Sequence, residues 1–172
     1  MGLGFDNPML SPINDKIQSI YGSEQAWAAS VLANIFQQNP SQPNTIALEL
    51  QRTGDLEDTD GGTFNIGDVE QEFSAVLNSP KLNQNPPGAG RWTTLLDGMK
   101  VNGKSVNIPQ SSTQGVPSGN LVTLLDTGNP SLQLTSDMRD AIFSGISGAA
   151  QDPSGTWAVA CDTTTIVEFD FG

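Results

Sequence analysis

The sequence predicts a mainly β fold with a few short helices. Several stretches of four to seven residues alternate between apolar and polar side chains, which is typical of half-buried strands. Helical spacing of apolar residues is confined to three short stretches, and strands and helices do not alternate regularly. With 172 residues, the chain is long enough for one full domain or two partial ones.

Three short stretches have the signals of helices. Ser11-Pro12 opens the first, with Ser11 as the cap, and Gly22 closes it. Ser23 is expected to cap a second helix that ends at Asn39-Pro40, and Ser136 to cap a third. We expect the apolar stripes to face the core rather than a ligand groove. These stripes are Ile13, Ile17, Ile20 and Tyr21 in the first helix, Trp27, Val31, Leu32, Ile35 and Phe36 in the second, and Met138, Ala141, Ile142 and Phe143 in the third.

The remaining regular stretches are predicted to be strands. In the first, Ile46, Leu48 and Leu50 should point inward, and an acidic loop leads from it to a return strand. Asp97-Gly98 reads as the turn of a hairpin. Proline-rich residues 83–90 indicate a linker or an exposed loop. The other predicted strands are Thr63–Gly67, Trp92–Leu96, Met99–Val101, Leu121–Leu125, Trp157–Ala160 and Ile166–Phe171.

Composition excludes several classes of function. The chain has 19 acidic and 7 basic residues and a net charge of −12, so we expect neither nucleic acid nor an anionic membrane as a partner. It contains no histidine, which leaves acid–base chemistry mainly to carboxylates. Neither a signal peptide nor a membrane-spanning stretch is evident, and Cys161 is the sole cysteine.

An acidic cluster, Asp55, Glu57, Asp58 and Asp60, does not have the spacing of a calcium loop. We interpret it as the solvated loop between two strands. The sequence thus predicts no metal and no cofactor.

Asp126-Thr127-Gly128 follows the apolar run Leu121–Leu125 and occurs once in the chain. A carboxylate at the tip of a buried strand is costly to desolvate unless it is used, and the glycine allows a sharp turn close to it. The threonine hydroxyl can tie the turn to a neighbouring segment. The residues alone favour an ordinary hairpin or turn residue at Asp126 over a functional carboxylate, and both readings stay open at this point.

Four segments, in order, resemble the pepsin-like aspartic proteases. They are Gly2–Phe5, Gly61–Asp68, Arg91–Gly103, and Leu124–Gly128, which matches the second catalytic loop of that family. The resemblance covers nearly the whole chain, and the polar, lysine-poor composition is closest to secreted fungal members. It implies a secreted endopeptidase that hydrolyses polypeptide substrates with two aspartates, one from each of two β-rich lobes.

On this resemblance, the chain looks like an internal fragment of a bilobal acid protease. Residues 1–80 would be the rear part of the N-terminal lobe, and residues 81–172 the front part of a truncated C-terminal lobe. Asp126 would be the catalytic aspartate, supported by Thr127, Gly128, Asn129 and Ser131. The first aspartate, and the complementary lobe segments as partners, would belong to the rest of the parent protein, so we expect the fragment alone to be inactive.

One departure from the family lies inside the motif. The family has threonine or serine after D-T-G, whereas Asn129-Pro130 stands here before Ser131, and proline removes a backbone donor. This departure suggests one alternative, a non-catalytic binding module. A second alternative is a retroviral-type homodimer with one aspartate per copy, but the sequence speaks against it because such enzymes place their motif near the start and the flap after it. A third is a structural β domain with a coincidental D-T-G. Many family members pair a cysteine at the position of Cys161 with a later one, which would lie beyond Gly172.

Overall fold

The computed structural model of the chain describes residues 4–5, 12–23, 25–50, 62–129 and 131–172. Its chain contacts divide the protein into two units, Met1–Pro80 and Lys81–Gly172. Small antiparallel sheets and a few short helices make up both units, which confirms the predicted fold class. In the described ranges, no helix combines the length and the apolar character that crossing a bilayer requires.

Helix α1 of the first unit spans Pro12–Tyr21. Gly22 closes it in the left-handed region at φ 74°, and its N–H donates to the Gln18 carbonyl at 2.8 Å. The predicted helix is confirmed, although its predicted cap, Ser11, lies outside the described residues. The prediction that its apolar stripe faces the core is wrong for Ile13, Ile20 and Tyr21, which are exposed.

A short 3-10 turn, Ala26–Ala28, precedes helix α2, Val31–Gln38. Ser30, rather than the predicted Ser23, caps this helix, because its hydroxyl accepts a hydrogen bond from the Ala33 N–H at 3.1 Å. The helix ends at Asn39, as predicted. Leu32 is its buried residue, whereas Trp27 and Val31 are exposed, so only part of this predicted stripe is packed.

Strands β1, Ile46–Glu49, and β2, Thr63–Ile66, pair antiparallel in the first unit. This confirms the predicted strand pair, but Leu48 and Leu50 are exposed rather than inward. The acidic loop that joins the strands, residues 55–60, lies outside the described residues. A 3-10 helix that the sequence analysis did not predict, Gln71–Asn78, follows β2.

The second unit has three small sheets and one helix. Strand β3, Thr93–Leu96, pairs with β6, Leu121–Leu124, and β4, Gly98–Val101, lies between β5, Lys104–Ser105, and β9, Val167–Asp170. Helix α3, Ser136–Ser144, is followed by the hairpin of β7, Ala150–Gln151, and β8, Trp157–Ala158. The sequence analysis predicted all of these strands except the two-residue β5 and β7.

Asp97-Gly98 is not a hairpin turn. The strands on either side of it, β3 and β4, belong to different sheets, so the chain changes sheet at this point. The hairpin turn follows β4 instead: Asn102 at φ 49° and Gly103 at φ 76° give the two left-handed residues that a tight two-residue loop requires. The predicted turn at Asp97 is therefore wrong, and its actual contacts are described below.

The core of the second unit forms around two methionines from distant segments. Met99 of β4 and Met138 of α3 are each 2% exposed, and Leu96 and Val101 are also buried. Half-buried apolar residues surround this cluster, among them Ile142, Val167 and Phe169. The predicted inward positions of Met138 and Ile142 in α3 are therefore confirmed. The predicted alternation in β9 is confirmed as well, with Val167 and Phe169 inward.

Thr135, rather than the predicted Ser136, caps α3, since its hydroxyl accepts from the Met138 N–H at 3.3 Å. The other end of α3 contacts the β7–β8 hairpin through Trp157. The Trp157 ring stacks on Phe143 with 5.4 Å between ring centroids, and its indole N–H donates to Asp140 at 3.3 Å.

Candidate active site

Strand β6 positions the Asp126-Thr127-Gly128 segment at one end of the β3–β6 sheet. Leu121 to Leu124 pair with Leu96 to Thr93, and the N–H of Leu125 extends the ladder to the Trp92 carbonyl at 2.8 Å. The ladder stops there, so Asp126 is the first residue beyond the strand. Pairing with β3 therefore determines where the carboxylate lies.

The turn after β6 closes on the Asp126 carboxylate. The Asp126 Oδ1 accepts a hydrogen bond from the Gly128 N–H at 2.9 Å. The backbone carbonyl of Asp126 accepts from the Asn129 N–H at 3.4 Å. A Cβ at Gly128 would lie 3.2 Å from Asp126 Oδ1, a distance at which the carboxylate would have to shift. Glycine thus permits the close approach that the sequence predicted without any displacement of the carboxylate.

The end of β6 is less buried than the sequence predicted. Leu124 and Leu125 are 43% and 58% exposed, and Asp126, Thr127 and Gly128 are all exposed. The Asp126 carboxylate therefore stays in contact with water. The expectation that it lies at the tip of a buried strand is wrong for this chain. The exposed leucines give Asp126 an apolar border on the strand side.

The other residues predicted to support the motif make local contacts. Asn129 Oδ1 accepts from the Ser131 N–H at 3.2 Å, so the oxygen of the Asn129 amide holds the following turn. The expected tie from the Thr127 hydroxyl to another segment is not found among the residues that the structure describes. Ser131 is exposed, and Pro130 lies outside the described residues.

Three segments that the sequence analysis did not connect meet at Asp97, at the other end of the β3–β6 sheet. One carboxylate oxygen accepts from the Asn120 side-chain amide, and the other accepts from the Gly172 N–H at 2.6 Å. The Asp97 N–H donates to the Asp170 carbonyl at 2.8 Å. Asn120 directly precedes β6, so this group of contacts touches the strand that carries Asp126.

A single exposed carboxylate can hold or release a proton but cannot act as acid and base in the same step. In the described part of the chain, no group of three or more histidine, cysteine, aspartate or glutamate side chains could hold a metal ion. Cys161 is an exposed free thiol. The chemistry that this site offers by itself is therefore that of one carboxylate at the end of a strand.

The comparison with protein families gives one match. The model of the family described as eukaryotic aspartyl protease matches residues 15–172, which is most of the chain. No curated protein and no solved structure gives a significant match.

Proposed function

The chain belongs to the eukaryotic aspartyl protease family, and from this premise we propose that Asp126 is one of the two aspartates that activate water for peptide-bond hydrolysis. The observation that carries the proposal is the turn in which the Gly128 N–H holds the Asp126 carboxylate just beyond the end of strand β6. Polypeptides are the substrates that the family implies.

Catalysis in this family needs two aspartates, each in a D-T-G loop, and this sequence contains one such loop. Two close carboxylates cannot both ionise, so one stays protonated as the acid while the other serves as the base. An isolated, solvated Asp126 has no such partner to hold a proton beside it. We therefore propose that the chain by itself does not cleave peptides.

The same resemblance supports an extracellular parent protein in which residues 1–80 and 81–172 are parts of two lobes. The two structural units divide at the same position, after Pro80. Recovery of the parent protein from the culture medium of cells that express its gene would test the location. Retention of the full-length protein inside those cells would contradict it.

A non-catalytic binding module is the alternative that a specific contact favours. The oxygen of the Asn129 amide bonds to the Ser131 N–H, whereas the family has a hydroxyl residue directly after D-T-G. A side chain engaged in the following turn contributes less to orienting Asp126. In this alternative the protein binds polypeptides without cutting them.

The experiment that separates these functions restores the second carboxylate. The chain is fused between two segments of a characterised aspartic endopeptidase: the N-terminal segment, which carries its own D-T-G loop, and the strands that complete the C-terminal lobe. The fusion is incubated with a denatured protein at acid pH, with and without pepstatin. We expect pepstatin-sensitive cleavage, and we expect Asp126→Asn to reduce its rate by roughly 10²–10⁴-fold, because a carboxylate that moves protons is lost.

The matched control is Asp162→Asn, which removes the same charge from an exposed turn of the same unit and should leave the rate unchanged. A fusion that binds pepstatin but does not cut would favour the binding module. Cleavage that survives Asp126→Asn would overturn the proposed role of Asp126. Pepstatin-sensitive cleavage by the unfused chain would overturn its proposed inactivity.

A further inference from the structure

Asp97 lies where the chain leaves one sheet of the second unit and enters another. Strand β3 before it pairs with β6, and β4 after it pairs with β9. We propose that Asp97 is a positioning residue: it fixes the start of β6 through Asn120 and thereby fixes the place of Asp126 at the end of the same strand. This inference rests on the proposed role of Asp126.

The side chain of Asp97 uses its two oxygens for two different segments. One oxygen accepts from the Asn120 amide, and the other accepts from the Gly172 N–H at 2.6 Å. Hydrogen bonds to a carboxylate are stronger than those between neutral groups. A carboxylate can satisfy both donors at once, whereas an asparagine at this position would offer one acceptor oxygen and an additional donor.

The link to Asp126 is the short strand itself. Asn120 is the residue before β6, and at the far end the Leu125 N–H bonds to the Trp92 carbonyl at 2.8 Å. A strand rises by about 3.3 Å per residue, so a slip of one residue would displace Asp126 by that distance and exchange the two faces of β6. Contacts at both ends of β6 prevent such a slip.

Hydrophobic burial alone determines the register of β6 only weakly. Leu121 packs against the core cluster, but Val122 on the opposite face is half-buried as well, and Leu124 is 43% exposed. Register is strongly specified where one face of a strand is buried, and it is weakly specified where both faces are accessible. The polar contact between Asp97 and Asn120 at the start of β6 therefore helps to specify the register of the whole strand.

Amide hydrogen exchange in the full chain, followed by NMR, tests the contact without any need for catalysis. We expect Asp97→Asn to reduce the protection of the β6 amides by about tenfold, because local opening of the strand loses a charge-assisted hydrogen bond. Exchanging the pair, Asp97→Asn with Asn120→Asp, restores a carboxylate facing an amide. Protection in this double variant should return to within about threefold of the original.

Two controls separate the contact from general effects. Asp162→Asn removes an equal charge in the same unit, and Thr135→Ala destabilises that unit at the cap of α3, without touching Asp97 or Asn120. Neither should lower the protection of β6 relative to that of the other strands. If Asp97→Asn prevents folding of the unit, Asn120→Ala removes the same contact and leaves the bond from Gly172 to Asp97 in place.

The readout specific to positioning is the NMR signal of the Asp126 carboxyl carbon. We expect this signal to shift or broaden in Asp97→Asn, to recover in the exchanged pair, and to stay unchanged in Thr135→Ala. Unchanged β6 protection, an unchanged Asp126 signal, or equal losses in Thr135→Ala would each overturn the inference. Failure of the proposed function is recognised separately, by cleavage in the fusion that persists after Asp126→Asn.

Discussion

The Asp126 carboxylate is held by its own turn rather than by a distant segment. The Gly128 N–H reaches Asp126 Oδ1 at 2.9 Å, and the side chain remains exposed to water. The carboxylate therefore stays accessible to water and to any group that another part of the protein brings to it.

Asp152 is the carboxylate whose pKa the described structure lowers most clearly. The Ser154 hydroxyl donates to it at 2.6 Å, and the N–H groups of Thr156 and Ser154 add bonds of 2.9 and 2.8 Å. These donors favour the charged form and hold the pKa of Asp152 below its ordinary value, with the Ser154 hydroxyl as the largest cause. The loop between β7 and β8 is organised around this charge.

The first prediction concerns acid loosening of this loop. Because the pKa of Asp152 is lower in the folded chain, its stabilising effect is complete above the ordinary aspartate pKa of about 3.9 and is lost as the pH falls through the lower folded value. The protection factors of the Gln151 and Trp157 amides, which are corrected for the intrinsic pH dependence of exchange, should therefore fall below about pH 4. In Asp152→Asn, which cannot titrate, this additional loss of protection should be absent. Equal pH dependence in the two proteins would contradict the prediction.

The local chemistry of the candidate site could be predicted from neighbouring residues, but its distant contacts could not. Asp126, Thr127 and Gly128 specify a turn after an apolar run, and a turn is what the structure has. The bond from Asn120 to Asp97 joins residues far apart in sequence, and no spacing rule links them. Side-chain contacts of this kind depend on which strands pair.

At the scale of elements, helix existence was easier to predict than helix caps. Both Thr135 and Ser136 carry a hydroxyl that could cap α3, and the choice depends on the backbone angles of a single residue. Thr135 has extended angles, φ −64° and ψ 157°, and accepts from the Met138 N–H, as a cap residue does. At α2 the predicted cap, Ser23, and the actual cap, Ser30, lie about two helical turns apart, because the 3-10 turn Ala26–Ala28 stands between Ser23 and the helix.

The second prediction follows from this assignment. Thr135→Ala should lower the free energy of unfolding of the second unit by about 1 kcal/mol, because it leaves the Met138 N–H without its acceptor. Ser136→Ala is the matched control: it removes a hydroxyl one residue later and should change stability by less than about 0.5 kcal/mol. Urea unfolding followed by circular dichroism measures both. Equal losses, or a larger loss in Ser136→Ala, would show that the cap is misassigned.

The error at Asp97 has a physical reason at the same scale. An Asp-Gly pair between two apolar runs is the ordinary signature of a hairpin turn, and β3 and β4 are in fact adjacent in sequence. They pair instead with β6 and β9, and Met99 of β4 lies in the core cluster. Non-local pairing thus overrides the local turn signal.

At the scale of the whole molecule, the two units differ in how well they bury their apolar residues. The second unit has the buried cluster of Met99, Met138, Leu96 and Val101. In the described part of the first unit, Leu32 is the one buried apolar residue. Periodicity predicts correctly which residues share a face of α1 or β1. It cannot tell whether another segment covers that face, and here large apolar side chains remain exposed.

The last prediction combines these exposed apolar residues with the charge of the chain. At neutral pH a net charge of −12 keeps copies apart, but that charge disappears near the isoelectric point of about 4.1, so apolar contacts between copies should then dominate. Light scattering should show reversible association that is greatest near pH 4. The double variant Ile13→Gln, Ile20→Gln, which removes two exposed apolar side chains of α1 without changing the charge, should associate less. A chain that stays monomeric through this pH range would show that these surfaces are not adhesive, and association that the variant does not weaken would place the contact elsewhere than on α1.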